Sequence, residues 1–261
     1  MIGPLVGMVH LGPLPGAPRF RGSLDDVIDD ARRDAEHLAS AGFDALLIEN
    51  FGDAPFFPDE VPKATVAAMT RAVADIRRAV TLPVGVNVLR NDAAAALAIA
   101  AATGASFIRV NVLSGWMSTD QGPIVGRAAE VARLRAQLGV ATLIAADVMV
   151  KHAVPPAGWT LEEAARDTWE RGGADALIVS GPATGEPTGT EDVEAIRAAV
   201  PDAPLLIGSG VTAATVAGLL RGADGVIVGT DAKRDGITSA PVDPERAAAI
   251  VRAAGAGGRG G

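Results

Sequence analysis

The sequence has no cysteine, which excludes disulfides, zinc–thiolate centres and thiol catalysis. It has little lysine: Lys63, Lys151 and Lys233 stand among 23 basic residues, so each lysine is more informative than usual. No apolar run approaches the roughly 18–20 residues of a membrane-spanning helix, and no membrane insertion is expected. The first 11 residues lack a basic leader and contain glycine and proline, unlike a signal peptide. A cytoplasmic protein is the expectation. Positive charge is not in excess either. The formal net charge of −8 disfavours a broad grip on nucleic acid or an anionic membrane.

What is present is a repeat. A chain of 261 residues, 49% hydrophobic, is enough for one large α/β domain with a full core. Eight short apolar runs, at 4–9, 45–49, 83–88, 106–112, 141–148, 175–180, 204–208 and 225–229, alternate with amphipathic helical stretches. Uninterrupted apolarity of that length suits parallel strands covered on both faces. In the first helical stretch Val27, Ala31, Ala35, Leu38 and Ala39 recur at helical spacing. Ser23 with Asp26 and Thr160 with Glu163 stand at capping-box spacing, and Asp243-Pro244 reads as a cap and first turn. Gly42, Gly104, Gly173 and Gly222 precede the even-numbered runs, where glycine ends a helix in the left-handed conformation. Eight strand–helix units with a two-unit rhythm predict a single (β/α)8 barrel, a TIM barrel, over 1–254, with 255–261 a disordered glycine-rich tail. An open dinucleotide-binding sheet is disfavoured because no G-x-G-x-x-G follows the first run.

In such a barrel, chemistry belongs to the loops after the strands' carboxyl ends. Those positions hold His10, Glu49, Asn50, Asn87, Arg109, Asn111, Asp147, Lys151, His152, Ser180, Gly208-Ser209-Gly210 and Gly229-Thr230. The glycine turns after the seventh and eighth runs, the first followed by a helix beginning at Thr212, read as a phosphate cradle made of peptide N–H groups and helix amino ends. Plain tight turns are the alternative. In the fifth turn Asp147 is a candidate base or metal ligand, with Lys151 as its nearest cation. Lys151 can hold an anion or form a Schiff base, and His152 can relay protons; alternatively both are a solvated pair. Glu49 is a second carboxylate, which can instead pair with Arg109. Asn50, Asn87, Asn111, Arg109, Ser180 and His10 read as substrate-binding. No metal site is assigned, although a divalent ion between Glu49 and Asp147 is an option. The proline-rich loop 13–22 and the glycine-rich loops 114–122 and 180–189 are candidate lids.

The segments GMVHLGPLPGAP (7–18), IENFGDAPF (48–56), RVNVLSGW (109–116), DVMVKHA (147–153), SGPATGEPT (180–188), GSGVT (208–212) and GADGVIVGTDAKRDG (222–236) together resemble the BtpA family, also called BtpA/SgcQ, over essentially the whole chain. The resemblance implies a TIM barrel. It also implies either a role in photosystem I biogenesis or stabilisation, or the sugar-phosphate chemistry with which some relatives are associated. The polar barrel mouth favours an enzyme on a phosphorylated sugar or nucleotide-like compound, of isomerase, epimerase or lyase type. A stabilising scaffold and a metal-assisted hydrolase are the alternatives. Oligomeric state is open, a homo-oligomer included.

Overall fold

In the computed structural model, which describes residues 2–181 and 189–256, each apolar run becomes a strand. In chain order the elements are β1 (Leu5–His10), α1 (Leu24–Ala41), β2 (Ala45–Glu49), α2 (Lys63–Ala79), β3 (Val84–Asn87), α3 (Ala93–Thr103), β4 (Phe107–Val110), β5 (Trp116–Thr119), β6 (Gly122–Val125), α4 (Ala128–Leu138), β7 (Leu143–Val148), β8 (Ala153–Val154), α5 (Leu161–Arg166), β9 (Ala176–Val179), α6 (Thr190–Ala199), β10 (Leu205–Ile207), α7 (Val216–Leu219), β11 (Gly225–Val228) and α8 (Pro244–Ala256). All barrel pairings are parallel, and the sheet closes in the order β1-β11-β10-β9-β7-β4-β3-β2. The chain is the expected (β/α)8 barrel. Helix α8 runs through Gly255, two residues past the expected boundary, and 257–261 lie outside the described residues.

Strand side chains alternate between two layers because the pleat has a period of two. Leu5, Val9, Leu46, Ile48, Ile108, Ala146 and Val179 pack outward under the helices. Val6, Met8, Leu47, Phe107, Ala145, Ile178, Leu206 and Ile227 fill the barrel's interior. Phe107 is the bulkiest interior group, and glycine at position 85 makes room for it: a Cβ there would lie 2.3 Å from the Phe107 ring.

Local signals hold with two exceptions. Thr160 and Glu163 form a reciprocal capping box, and Asp243 accepts from the amides of Glu245 and Arg246. Ser23 caps α1, but through Asp25 rather than Asp26. Gly42, Gly104 and Gly173 are left-handed, whereas Gly222 is not, because α7 is a single turn that ends at Leu220 without needing a reversal.

The expected loop 114–122 is instead largely a hairpin. Strands β5 and β6 pair antiparallel, and β8 adds to β5, giving a small sheet ordered β6-β5-β8. Its inner face rests on Val112 and Val150 through Met117 and Ile124. The sheet thus ties the loop after β4 to the loop after β7.

Candidate active site

The alternation that fills the barrel also selects the residues at its mouth. His10, Glu49, Asn87, Arg109, Asp147, Ser180, Gly208 and Gly229 each stand two positions after an inward-facing residue or glycine, and Asn111 follows Arg109 by two. Asn50 has the opposite phase, two after the outward-facing Ile48. Its amide therefore points away from the mouth, accepting from Leu89 N (2.7 Å) and donating to Asp53 Oδ2 (3.1 Å). The expected substrate contact at Asn50 is corrected to a brace between two loops. A cavity of about 650 Å³ opens above the interior layer, lined by His10, Glu49, Arg109, Asn111, Lys151, His152 and the turns after β10 and β11.

The floor is a closed ionic network. Arg109 donates from Nε to Asp147 Oδ2 (2.9 Å) and from Nη2 to Oδ1 (2.8 Å). Asn111 Nδ2 adds a bond to Oδ2 (3.2 Å) and Ser180 Oγ one to Oδ1 (3.1 Å). Asn87 donates to the Arg109 carbonyl (3.1 Å) and to Asn111 Oδ1 (3.0 Å). Asp147 therefore has four donors, and its cation is Arg109, not Lys151 as its sequence neighbourhood suggests. The physical reason is reach: neighbouring strands β4 and β7 set a planar guanidinium beside the carboxylate for a two-point grip. The pairing of Arg109 with Glu49 is likewise replaced. Neither Asn87 nor Ser180 lines the cavity; they hold the network.

Glu49 is different. It is buried, yet among the described residues its carboxylate accepts no hydrogen bond. Its nearest ionisable contact is His10 Nε2 at 4.0 Å. Burial pushes the Glu49 carboxyl above its ordinary range, against the pull of Arg109, Lys151 and Arg90. Burial, reinforced by Lys233 and Lys151, pushes His10 down to about 3, so the imidazole is neutral and the contact is no ion pair. Lys151 is pushed below its ordinary range by burial and by Arg109, with Glu49 and Asp147 opposing. Its carbonyl accepts from Arg90 Nη2 at 2.7 Å. The turn that presents Lys151 is strained: Met149 and His152 hold φ of 52° and 57°, each costing on the order of 1–3 kcal/mol. Such strain concentrates at functional sites.

The glycine turns are specified sterically. A Cβ at Gly208 would lie 2.7 Å from Ile178 Cγ2 and 2.9 Å from Ser180 Oγ, and Gly210 has φ 65°. Residues 208–212 and 229–231 line the space. The helix expected at Thr212 begins at Val216 and lasts one turn. Thr212–Thr215 instead form a hydroxyl-bonded turn, and Asp231 Oδ2 takes the Ala213 amide at 2.9 Å. Asp231, held also by Arg246 (2.7 Å), staples the two glycine turns together. Behind them Lys233, 1% exposed, donates to Asp34 Oδ2 at 2.6 Å while Val242 N donates to Oδ1 at 2.7 Å.

Several cavity residues escaped sequence reasoning. Arg90 lies just past β3, and Asp120 and Gln121 sit at the tip of the β5–β6 hairpin. The alternating WMST and GPIV segments around a two-residue turn were the available signal for that hairpin. Loop 13–22 contributes nothing to the cavity lining, and Leu14 is buried; the segment with Phe51, Pro55 and Phe56 lines it instead. Of the third expected lid, 182–188 lie outside the described residues. Among the described residues no three His, Asp or Glu side chains form a metal-holding group. Among the described residues no helix is long and apolar enough to cross a membrane.

A family model described as the BtpA family matches residues 1–256. Photosystem I biogenesis protein BtpA of Synechocystis sp. is 48% identical over 250 residues, covering 96% of this chain and 87% of that protein. An uncharacterised protein of Thermococcus kodakarensis is 50% identical over 251 residues, covering 96% and 95% respectively. Among solved structures, (S)-3-O-geranylgeranylglyceryl phosphate synthase from Thermoplasma acidophilum, in complex with its substrate sn-glycerol-1-phosphate, superposes with a TM-score of 0.60 at 18% identity, covering 96% of this chain and 93% of that one. That likeness shows the fold.

Proposed function

The chain belongs to the BtpA family, and from that premise we propose that it is an enzyme that moves a proton next to the carbonyl of a phosphorylated small molecule, as an isomerase, epimerase or lyase does. One observation carries the reading: a single cavity is lined by two glycine turns and, among the described residues, by a buried carboxylate and a half-buried lysine without ion-pair partners. The turns suit a phosphate. Glu49 is the proton-transfer group, because it lines the cavity, accepts no hydrogen bond among the described residues and is raised by burial above its ordinary range. Arg90 stabilises negative charge developing on the carbonyl oxygen. Asp147 holds Arg109 and Asn111 in place. The phosphate-bearing ligand named for the Thermoplasma acidophilum structure supports the same ligand class.

The test is solvent exchange. A panel of phosphorylated aldoses and ketoses, incubated with the protein in D₂O, gains deuterium at the carbon beside the carbonyl. Glu49→Gln slows that exchange by roughly 10²–10⁴-fold, and Gly210→Asp abolishes inorganic phosphate binding measured by calorimetry. Full exchange in Glu49→Gln, or unchanged phosphate affinity in a folded Gly210→Asp protein, contradicts the reading.

A second reading, a photosystem I biogenesis factor, follows the name of the Synechocystis relative. It is favoured by the outer face of the small sheet, where Trp116, Val125 and Val154 are exposed. If that reading holds, Trp116→Glu with Val154→Glu fails to complement a deletion of the relative, whereas Glu49→Gln complements it.

A further inference from the structure

The cavity contains a lysine whose situation differs from that of a phosphate-holding cation. Lys151 is mostly buried, lines the cavity, and among the described residues has no carboxylate within ion-pair distance. The nearest aspartate in sequence, Asp147, is held by Arg109 instead. The backbone of Lys151 is fixed from both sides. Arg90 holds its carbonyl, and β8, which pairs with β5, begins two residues later. Two flanking residues adopt left-handed backbone to present it. Glu49 lies in the same cavity without a hydrogen-bond donor among the described residues.

We propose that Lys151 forms a covalent imine with the aldehyde or ketone carbonyl of the phosphorylated substrate, with Glu49 as the acid that completes it. The inference rests on the proton-transfer reading above and names its covalent step. The neutral Lys151 amine attacks the carbonyl carbon, a C–N bond forms, and a proton passes from nitrogen to oxygen to give a carbinolamine. Glu49 then gives its proton to the hydroxyl. The C–O bond breaks, water leaves, and a protonated imine remains with Glu49 ionised. The Glu49 carboxylate next removes the proton from the adjacent carbon, giving an enamine and restoring the acid. The protonated imine is the better electron sink, which is what amine catalysis contributes. Burial and the nearby Arg109 guanidinium favour the free amine that the first step needs.

Pyridoxal 5′-phosphate, an aldehyde carrying a phosphate, is a probe that does not require the natural substrate to be known. The full chain is treated with it, reduced with borohydride, and analysed by intact mass and peptide mapping, with Lys63 in the first turn of α2 as the exposed comparison. The expected result is one adduct per chain on Lys151, formed at least about tenfold faster than on Lys63, because a phosphate-bearing aldehyde held in the cavity is kept beside the amine. Inorganic phosphate slows Lys151 labelling and leaves Lys63 labelling unchanged. Equal rates at the two lysines, or labelling of Lys63 alone, overturns the proposal. If Lys151→Arg keeps full deuterium exchange, the imine is overturned and the proton-transfer reading stands. If the wild type labels selectively at Lys151 but exchanges no deuterium with the phosphosugar panel, the imine site stands and that reading fails.

Discussion

Lys151 and Lys233 lie on loops that follow barrel strands, Lys151 half-buried and Lys233 buried, and burial pushes both below their ordinary range. Their surroundings separate them. Lys233 meets Asp34 at 2.6 Å, and Asp34 also takes the Val242 amide, so the pair is closed and ties the last glycine turn to α1. Lys151 faces a cavity, and its nearest aspartate in sequence is engaged elsewhere. The same division separates Asp147, with four donors, from Glu49, with none among the described residues. Burial with a partner builds the scaffold, and burial without one leaves a group available for chemistry.

The largest test of that division is thermodynamic. Asp34→Ala leaves Lys233 buried without its counter-ion, and Asp147→Asn weakens the grip on Arg109. Each is expected to cost about 3–5 kcal/mol in urea denaturation, as breaking a buried pair does. A loss well below that at Asp34 shows the pair to be solvated. Lys151→Met removes no ion pair, so its stability should shift by about 1 kcal/mol at most, toward stabilisation. A loss as large as that of Asp34→Ala erases the contrast between the lysines.

The smallest effect is the most specific, because its sign is fixed by pH. The Glu49 carboxyl is raised, so the folded chain binds more protons than the unfolded one above the ordinary 4.5, and folding stability falls as pH rises through that window. Glu49→Gln should therefore stabilise the protein at neutral pH and lose that advantage below about pH 4.5. Lys151 runs the other way. Its proton is bound less tightly in the fold, so stability rises as pH approaches the ordinary 10.5, and Lys151→Met should flatten that rise. A gain from Glu49→Gln that grows in acid contradicts the assignment.

The barrel was legible because each of its strands announced itself locally, through apolar runs, caps and the glycine rhythm. The mouth was legible wherever strand phase decides direction, as at His10, Glu49, Arg109 and Asp147. That phase, carried one step further, also separates Asn50, which follows outward-facing Ile48, from Glu49. Pairing was not legible, because it depends on which strands are neighbours in space: β4 beside β7 gives Asp147 its arginine across 38 residues of chain. Asp34 left a trace. It falls between Ala31 and Ala35 on the buried face of α1, and a carboxylate there needs a cation. Its partner lies 199 residues away, beyond any local pattern. At Thr212 the chain forms a turn bonded through the Thr212 and Thr215 hydroxyls, and the helix begins only at Val216.

The central claim is that Glu49 is the working carboxylate because it is buried without a donor, and it is tested by its own titration. In protein carrying ¹³C at the glutamate side-chain carboxyls, the resonance missing from Glu49→Gln identifies this group. The account expects its midpoint clearly above the ordinary 4.5, moving when inorganic phosphate is added to the cavity. A midpoint at or below 4.5 means that Glu49 is paired and ionised, and the division between holding and working residues is then wrong.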